Sequence, residues 1–268
     1  MCLHRGEEPP LNPSVNIFFA HCNQQCVYCQ NGQISKVESG KWRVESVESL
    51  ADRIVSHLSP LTSHLLGLVT ASHYADRIPA LLEAVCRRGF APTVVYNSSG
   101  YESVETLRKL EGLVDVYLPD FKYMDSSMAQ AYSHAADYPE VAQAALREMR
   151  RQVGGGLKVD DDGRAYRGII VRHLVLPGAV GNSLRCLDWL ADEFPFGLHL
   201  SLMAQYFPPH EDLPAPLDRC ITAEEYGEVV AHAESLGLTD GWIQELEARD
   251  NYRPDFSRED NPFNTETV

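Results

Sequence analysis

The sequence predicts an α/β fold built from parallel βα units, and three observations carry that prediction. Short apolar runs of strand length alternate with stretches whose apolar residues recur at helical spacing. Six such strands are legible, too few for a closed eight-stranded barrel. A polar cluster follows each strand, where barrels of this architecture carry their chemistry.

Residues 1–13 are proline-rich and polar and read as an extended lead-in. The first strand is Val15–Ala20, followed by a cysteine-rich loop and then Gly40-Lys41-Trp42. A helix from about Val44 to Leu58 places Val47, Leu50, Ala51, Ile54 and Val55 on one face, and Pro60 lies beyond its end. The second strand, Leu65–Thr70, ends in Ala71-Ser72-His73; the helix after it buries Ile78, Leu81, Leu82 and Val85 and stops at Gly89. The third strand, Thr93–Tyr96, runs into Asn97-Ser98-Ser99-Gly100 and a short helix that closes at Gly112.

Val114–Leu118 is the fourth strand and ends in Pro119-Asp120-Phe121-Lys122. A longer helical region spans about Ser126 to Gln152, with a break expected near Tyr138-Pro139, and Asp160-Asp161-Asp162-Gly163 reads as a turn. The fifth strand is Gly168–Leu176 and the sixth Leu198–Met203, the latter leading into Ala204-Gln205-Tyr206. A last helix opens at Thr222-Ala223-Glu224-Glu225, a capping-box pattern with Ile221 and Tyr226 placed as a hydrophobic staple. The expected organisation is one domain over 1–268: the lead-in, a core barrel over 14–206, and a C-terminal helix and tail over 207–268.

A net charge of −15 argues against a nucleic-acid-binding surface and against docking on an anionic membrane. No apolar run approaches the roughly 18–20 residues of a membrane span. Met1 to Pro10 lacks the apolar segment of a signal peptide, and seven cysteines without a disulfide framework suit a reducing compartment, so a cytoplasmic protein is expected.

Chemistry concentrates in Cys22-Asn23-Gln24-Gln25-Cys26-Val27-Tyr28-Cys29, three cysteines within eight residues at spacing Cys-x3-Cys-x2-Cys. Three thiolates on one tight loop form a metal-binding arrangement, and three ligands leave one corner of a cubic iron–sulfur cluster open. A structural zinc site would need four protein ligands; Cys86, Cys186 and Cys220 are isolated on other segments, and His21 adjoins Cys22 too closely to complete the set.

This motif, with Tyr28 before its last cysteine, resembles the radical S-adenosylmethionine (SAM) superfamily. The resemblance implies a partial (β/α)6 TIM-type barrel, a [4Fe–4S] cluster on Cys22, Cys26 and Cys29, and SAM chelated at the open iron. It also implies reductive SAM cleavage to a 5′-deoxyadenosyl radical, with a low-potential donor of flavodoxin or ferredoxin type. From the Gly6–Pro10 lead to the sixth strand the chain is similar to activating enzymes of glycyl radical enzymes, in the pyruvate formate-lyase activating enzyme-like branch.

That resemblance marks Tyr28 and the strand ends as SAM contacts. Thr70-Ala71-Ser72-His73 replaces the Gly-Gly-Glu common in the superfamily, with Thr70, Ser72 and His73 as candidates; His73 alternatively caps the next helix. Asn97 and Ser99 stand in an Asp-Thr-Asn-Gly-like turn, where Asn97 offers a carbonyl acceptor in place of a charge. Asp120 and Lys122 resemble the activators' Asp-x-Lys, with Lys122 placed for the SAM carboxylate. Alternation along the fifth strand sends only one of Arg172 and His173 inward, and the activators' pattern favours Arg172. Gln205 takes the position of a histidine near the adenosine, and Tyr206 either stacks on a base or packs.

Three substrate readings stay open: a glycyl radical enzyme, a peptide or small molecule modified directly, and a non-catalytic module in which a metal only stabilises the fold. Cys2 and His4 belong either to the mouth or to a plain N-terminal arm. The tail from Asn251 to Phe263, aromatics among charges, either covers the mouth or packs outside.

Overall fold

The structure is a computed structural model that describes residues 1–4, 6, 8–36, 45–58, 63–250, 254–258 and 262–263. Gly40-Lys41-Trp42, Val44, Pro60, Asn251-Tyr252-Arg253 and Asn261 lie outside the described residues. The strands are β1 (Cys2–His4), β2 (Ser14–Phe18), β3 (Leu65–Val69), β4 (Thr93–Ser98), β5 (Val116–Pro119), β6 (Lys158–Val159), β7 (Ala165–Leu174), β8 (His199–Met203) and β9 (Gly241–Ile243). The helices are α1 (Gly32–Ser35), α2 (Val47–His57), α3 (Ile78–Arg87), α4 (Val104–Lys109), α5 (Ser126–Ser133), α6 (Tyr138–Val153), α7 (Val180–Glu193) and α8 (Ala223–Ser235).

β2, β3, β4, β5, β7, β8 and β9 pair in parallel and in chain order, each joined to the next by a crossover that carries a helix, giving the expected partial α/β barrel. Three strands go beyond the six expected. β9 extends the parallel array to a seventh strand; β1 adds antiparallel to β2, and β6 pairs back onto β7. The expected break in the long helical region falls between Ser133 and Tyr138, where His134 takes a left-handed φ of 53° and ends α5. Thr222 caps α8 in the expected capping box.

Period-two alternation sorts the strands into two faces. Val15, Ile17, Leu66, Leu68, Val94, Tyr96, Ile169, Val171, Leu200 and Leu202 point outward into the buried layer beneath the helices. The opposite set points inward. Its deep part, Leu65, Val95, Val116, Leu118 and Ile170, closes with Leu11 into a second apolar cluster that fills the base of the barrel. One step farther along β4, β5 and β7 the inward positions are Asn97, Asp120 and Arg172, and a cavity opens there.

Gly67 on β3 shows how tight that interior is: a Cβ there would meet Asn16 Oδ1 at 1.9 Å. Among the described residues no helix is long and apolar enough to cross a membrane.

Candidate functional site

The cysteine loop leaves β2 through His21, whose φ of 67° turns the chain sharply over the barrel mouth. The loop is anchored on four sides. Asn23 Nδ2 donates to the Tyr101 carbonyl at 2.6 Å, and the Val27 and Gln25 amides donate to the carbonyls of Tyr132 and Ser133 at the end of α5. Gln30 Nε2 reaches the Gln205 carbonyl at 3.2 Å, and His210 Nε2 lies 3.1 Å from the Val27 carbonyl. So held, Cys22, Cys26 and Cys29 line one wall of a cavity of about 230 Å³.

The same cavity is lined by Tyr28, Thr70, Asn97, Ser99, Asp120, Lys122, Arg172 and Gln205. Parallel register brings them together: Asn97 pairs with Leu118 beside Val69, and Asp120 bridges to Arg172 at the next rung. Asp120 is the hub. It accepts from Arg172 Nε at 2.9 Å and Nη2 at 2.8 Å through one oxygen, and from Lys122 Nζ at 2.5 Å through the other. Burial alone would raise the Asp120 carboxyl, but Arg172 and Lys122 more than offset it and hold its pKa below the ordinary value. Burial would likewise lower the Lys122 ammonium, and Asp120 with Cys26 reverses that and keeps it charged. The three side chains carry a net charge of +1 at the cavity wall.

Arg172 Nη2 also donates to Asn97 Oδ1 at 2.9 Å. The carbonyl acceptor that the sequence offers at Asn97 is therefore engaged within the protein, and among the described residues no group accepts from its amide nitrogen. His173 is turned away into the outer core, between the Phe121 carbonyl at 2.6 Å and Ser183 Oγ at 2.9 Å. Gln205 accepts from Gln244 Nε2 at 3.1 Å, and Tyr206 is packed away from the cavity, its hydroxyl on the Leu217 carbonyl at 2.6 Å.

Ser72 and His73 are not brought to the cavity. The chain after Thr70 coils into a 3-10 turn over Ser72–Arg77, which carries Ser72 Oγ to the buried Glu102 carboxyl and His73 Nε2 to the Ala20 carbonyl at 2.7 Å. Thr70 itself stays at the wall with a φ of 59°, a conformation that disfavours a β-branched residue.

Asn16 and Gln24 line the cavity without being singled out by the sequence, whereas the sequence leaves His4 and the tail between the mouth and the outside. Asn16 follows from alternation, since Ser14, Asn16 and Phe18 share the inward face of β2. Gln24 is 6% exposed between the first two cysteines. His4 comes from β1, and Pro254 and Phe263 come from the tail, so the first strand and the tail both contribute to the mouth. Phe263 packs 4.3 Å from His4 and 5.9 Å from Phe18, and the Phe256 amide donates to Gln33 Oε1 at 2.7 Å. Cys2 is buried outside the cavity, its thiol pushed up to about 11 by that burial.

Whether this wall suits an iron–sulfur cluster is a question of donors. Each cysteine sulfur has a polar group beside it: the Gln24 amide at 3.4 Å from Cys22, Ser133 Oγ at 3.0 Å from Cys26, and Ser35 Oγ at 3.1 Å from Cys29. Gln24 Nε2 is buried without a hydrogen-bond partner among the described residues, a donor lacking its acceptor at the cavity wall. Burial pushes the Cys22 thiol up to about 11 and raises Cys26 despite Lys122 and Ser133, so metal binding here would release protons. Among the described residues no three His, Cys, Asp or Glu side chains close on the single point that a lone ion needs. A cluster presents separate irons to its ligands, and three sulfurs around a polar cavity fit that demand.

No family model matches the sequence. An uncharacterised protein of Methanocaldococcus jannaschii is 29% identical over 259 residues, covering 88% of this chain and 66% of the relative. The solved structure of anSMEcpe with bound AdoMet superposes with a TM-score of 0.55 at 10% identity, covering 85% of this chain and 62% of that one. SuiB of Streptococcus suis bound to its precursor peptide SuiA gives 0.55 at 8% identity, covering 92% of this chain and 52% of that one. The chain thus spans about half to two-thirds of the length of these proteins. Both solved structures are radical SAM enzymes, and it is their partial-barrel fold that this chain shares.

Proposed function

We propose that this chain binds a [4Fe–4S] cluster through Cys22, Cys26 and Cys29, takes SAM into the adjoining cavity, and abstracts hydrogen from a polypeptide. The observation that carries the proposal is the confluence of the three cysteines with the strand ends of β4, β5, β7 and β8 around one cavity. When bound, the two cofactors supply one-electron reductive cleavage of SAM and the hydrogen abstraction that follows.

The chain's own groups bind and orient. Lys122 and Arg172, locked by Asp120, form the cationic patch for the SAM carboxylate. The Asn97 amide nitrogen and the Ser99 hydroxyl offer donors, and Gln205 stands on the adenosine side. Phe18, Tyr28 and Phe263 give the cavity apolar walls that keep water from a reactive species. A donor of flavodoxin or ferredoxin type supplies the electron.

For the polypeptide we favour the glycyl loop of a glycyl radical enzyme, on the Asp120-Phe121-Lys122 and cysteine-loop resemblances. A precursor peptide is the second reading, supported by the peptide bound to SuiB on the same fold.

Anaerobic reconstitution with iron and sulfide, then SAM and dithionite, tests the chemistry. A [4Fe–4S] spectrum and 5′-deoxyadenosine are expected, and both should vanish in Cys26→Ser; zinc in place of iron with no deoxyadenosine would sink the proposal. A glycyl-radical EPR signal on a partner, against deuterium transfer from a labelled peptide into deoxyadenosine, separates the two substrates.

A further inference from the structure

Three buried hydroxyls form a chain behind the cysteine loop, and what that chain does for Cys26 is not given by the cavity lining alone. Tyr28, Tyr123 and Ser133 are 5%, 0% and 1% exposed. Tyr28 Oη lies 2.5 Å from Tyr123 Oη, Tyr123 Oη lies 2.8 Å from Ser133 Oγ, and Ser133 Oγ lies 3.0 Å from Cys26 Sγ. Each hydroxyl has one proton to give. Ser133 donates to the sulfur, so a fully paired chain requires Tyr123 to donate to Ser133 and Tyr28 to donate to Tyr123. All three donations run toward Cys26.

Simple satisfaction of buried hydroxyls does not account for this direction. A helical serine commonly returns its proton to the carbonyl four residues back. Here that carbonyl, on Ala129, accepts the backbone amides that terminate α5. Ser133 is moreover held by its backbone, since its carbonyl and that of Tyr132 accept the Gln25 and Val27 amides from the loop itself. Loop and helix end are clamped together with the hydroxyl between them, aimed at a ligand sulfur.

We propose that Ser133, backed by Tyr123 and Tyr28, is a positioning residue that donates to the Cys26 thiolate and raises the reduction potential of the cluster, an inference that rests on the function proposed above. A reduced cluster carries one more negative charge, spread partly over its sulfurs, so a donor to sulfur stabilises the reduced form more than the oxidised one. Successive hydroxyls polarise one another, which strengthens the terminal bond. The relay therefore sets how strong a reductant this protein's electron donor has to be.

EPR-monitored redox titration of anaerobically reconstituted full-length protein tests the proposal directly, with iron and sulfide content checked for each variant. Ser133→Ala should lower the midpoint potential, Tyr123→Phe should lower it by less, and Ser133→Thr, which keeps a hydroxyl, should return it toward the wild-type value. Tyr117→Phe, whose hydroxyl is bonded to Gln152 at 2.7 Å and not to this chain, should leave it unchanged. A Ser133→Ala midpoint equal to wild type overturns the proposal, and a Tyr123→Phe midpoint equal to wild type overturns the relay. Should Ser133→Ala lose its cluster, Tyr123→Phe decides alone, since it preserves the ring and the serine. Failure of the wild-type chain to take up any [4Fe–4S] cluster is a separate result and counts against the underlying function.

Discussion

Thr70 carries the local strain of the cavity wall. Its φ of 59° lies in the left-handed region, where a β-branched side chain crowds the backbone, at a cost of order 1–3 kcal/mol. The position is over-determined by its neighbours: the Thr70 amide donates to the Asn97 carbonyl at 2.9 Å, tying the end of β3 to β4. The superfamily resemblance puts glycine in this turn, and glycine would adopt the same φ without crowding. Thr70→Gly is therefore expected to raise stability by about 1 kcal/mol in urea denaturation, after part of the relief is given back as unfolded-state entropy. A loss of stability would instead mean that the packing of the threonine side chain outweighs the crowding at this φ. Gly100 is the converse case. It holds a φ of 75°, and a Cβ there would meet the Asp120 carbonyl at 2.1 Å.

At the scale of elements, the site is the product of strand ends pinned from behind by α6. The Tyr138 hydroxyl, at the first turn of that helix, lies 2.8 Å from the Ser99 carbonyl and 2.9 Å from the Asp120 carbonyl, and accepts the Lys122 amide at 3.0 Å. One buried group thus fixes the β4 and β5 loops relative to each other. Tyr138→Phe leaves these backbone groups short of a partner in a fully buried place, and a loss of about 2 kcal/mol in urea denaturation is expected. A change below a few tenths would show that Ser99 and Asp120 find other donors. None of this bracing was legible in the sequence, because it depends on a tyrosine meeting loops 39 and 18 residues away. What was legible is whatever strand periodicity determines. Alternation predicted one inward residue of Arg172 and His173, and strand-end clusters marked Asn97, Asp120 and Lys122 for a common mouth. Reading failed where the backbone departs from the periodic pattern. Ser72 and His73 lie in a 3-10 turn that swings outward, and β1 and β9, three residues each, are too short to show a period. The sequence leaves the tail between the mouth and the outside because Phe263 reaches the mouth through contacts with His4 and Phe18 that no local pattern encodes.

Across the whole molecule, two buried titrating groups give opposite pH dependences. His173 has its pKa lowered to about 4 by burial, with the Phe121 carbonyl opposing in part. Its unfolded form binds a proton that the folded form refuses, so its stabilising contribution is full above its ordinary value of 6.5 and is lost as pH falls toward 4. Glu102 has its pKa raised to about 7 by burial, against the hydrogen bonds of Ser72, Tyr96 and Ser98. Here the folded form holds a proton that the unfolded form has released, so stability declines as pH rises from 4.5 to 7. Between about pH 4.5 and 6.5 the two slopes have opposite sign and similar size, which flattens the profile contributed by this pair. Glu102→Gln removes one slope and leaves the other. Chemical denaturation across pH 4.5 to 7 should show the variant gaining on the wild type by about 3 kcal/mol over that interval, most of it below pH 7. Parallel profiles would mean that Glu102 ionises at an ordinary pKa. In that case the carboxylate would carry a charge into the core behind the β3 and β4 loops, and its bond to Ser72 would be a charged tether holding the 3-10 turn away from the cavity.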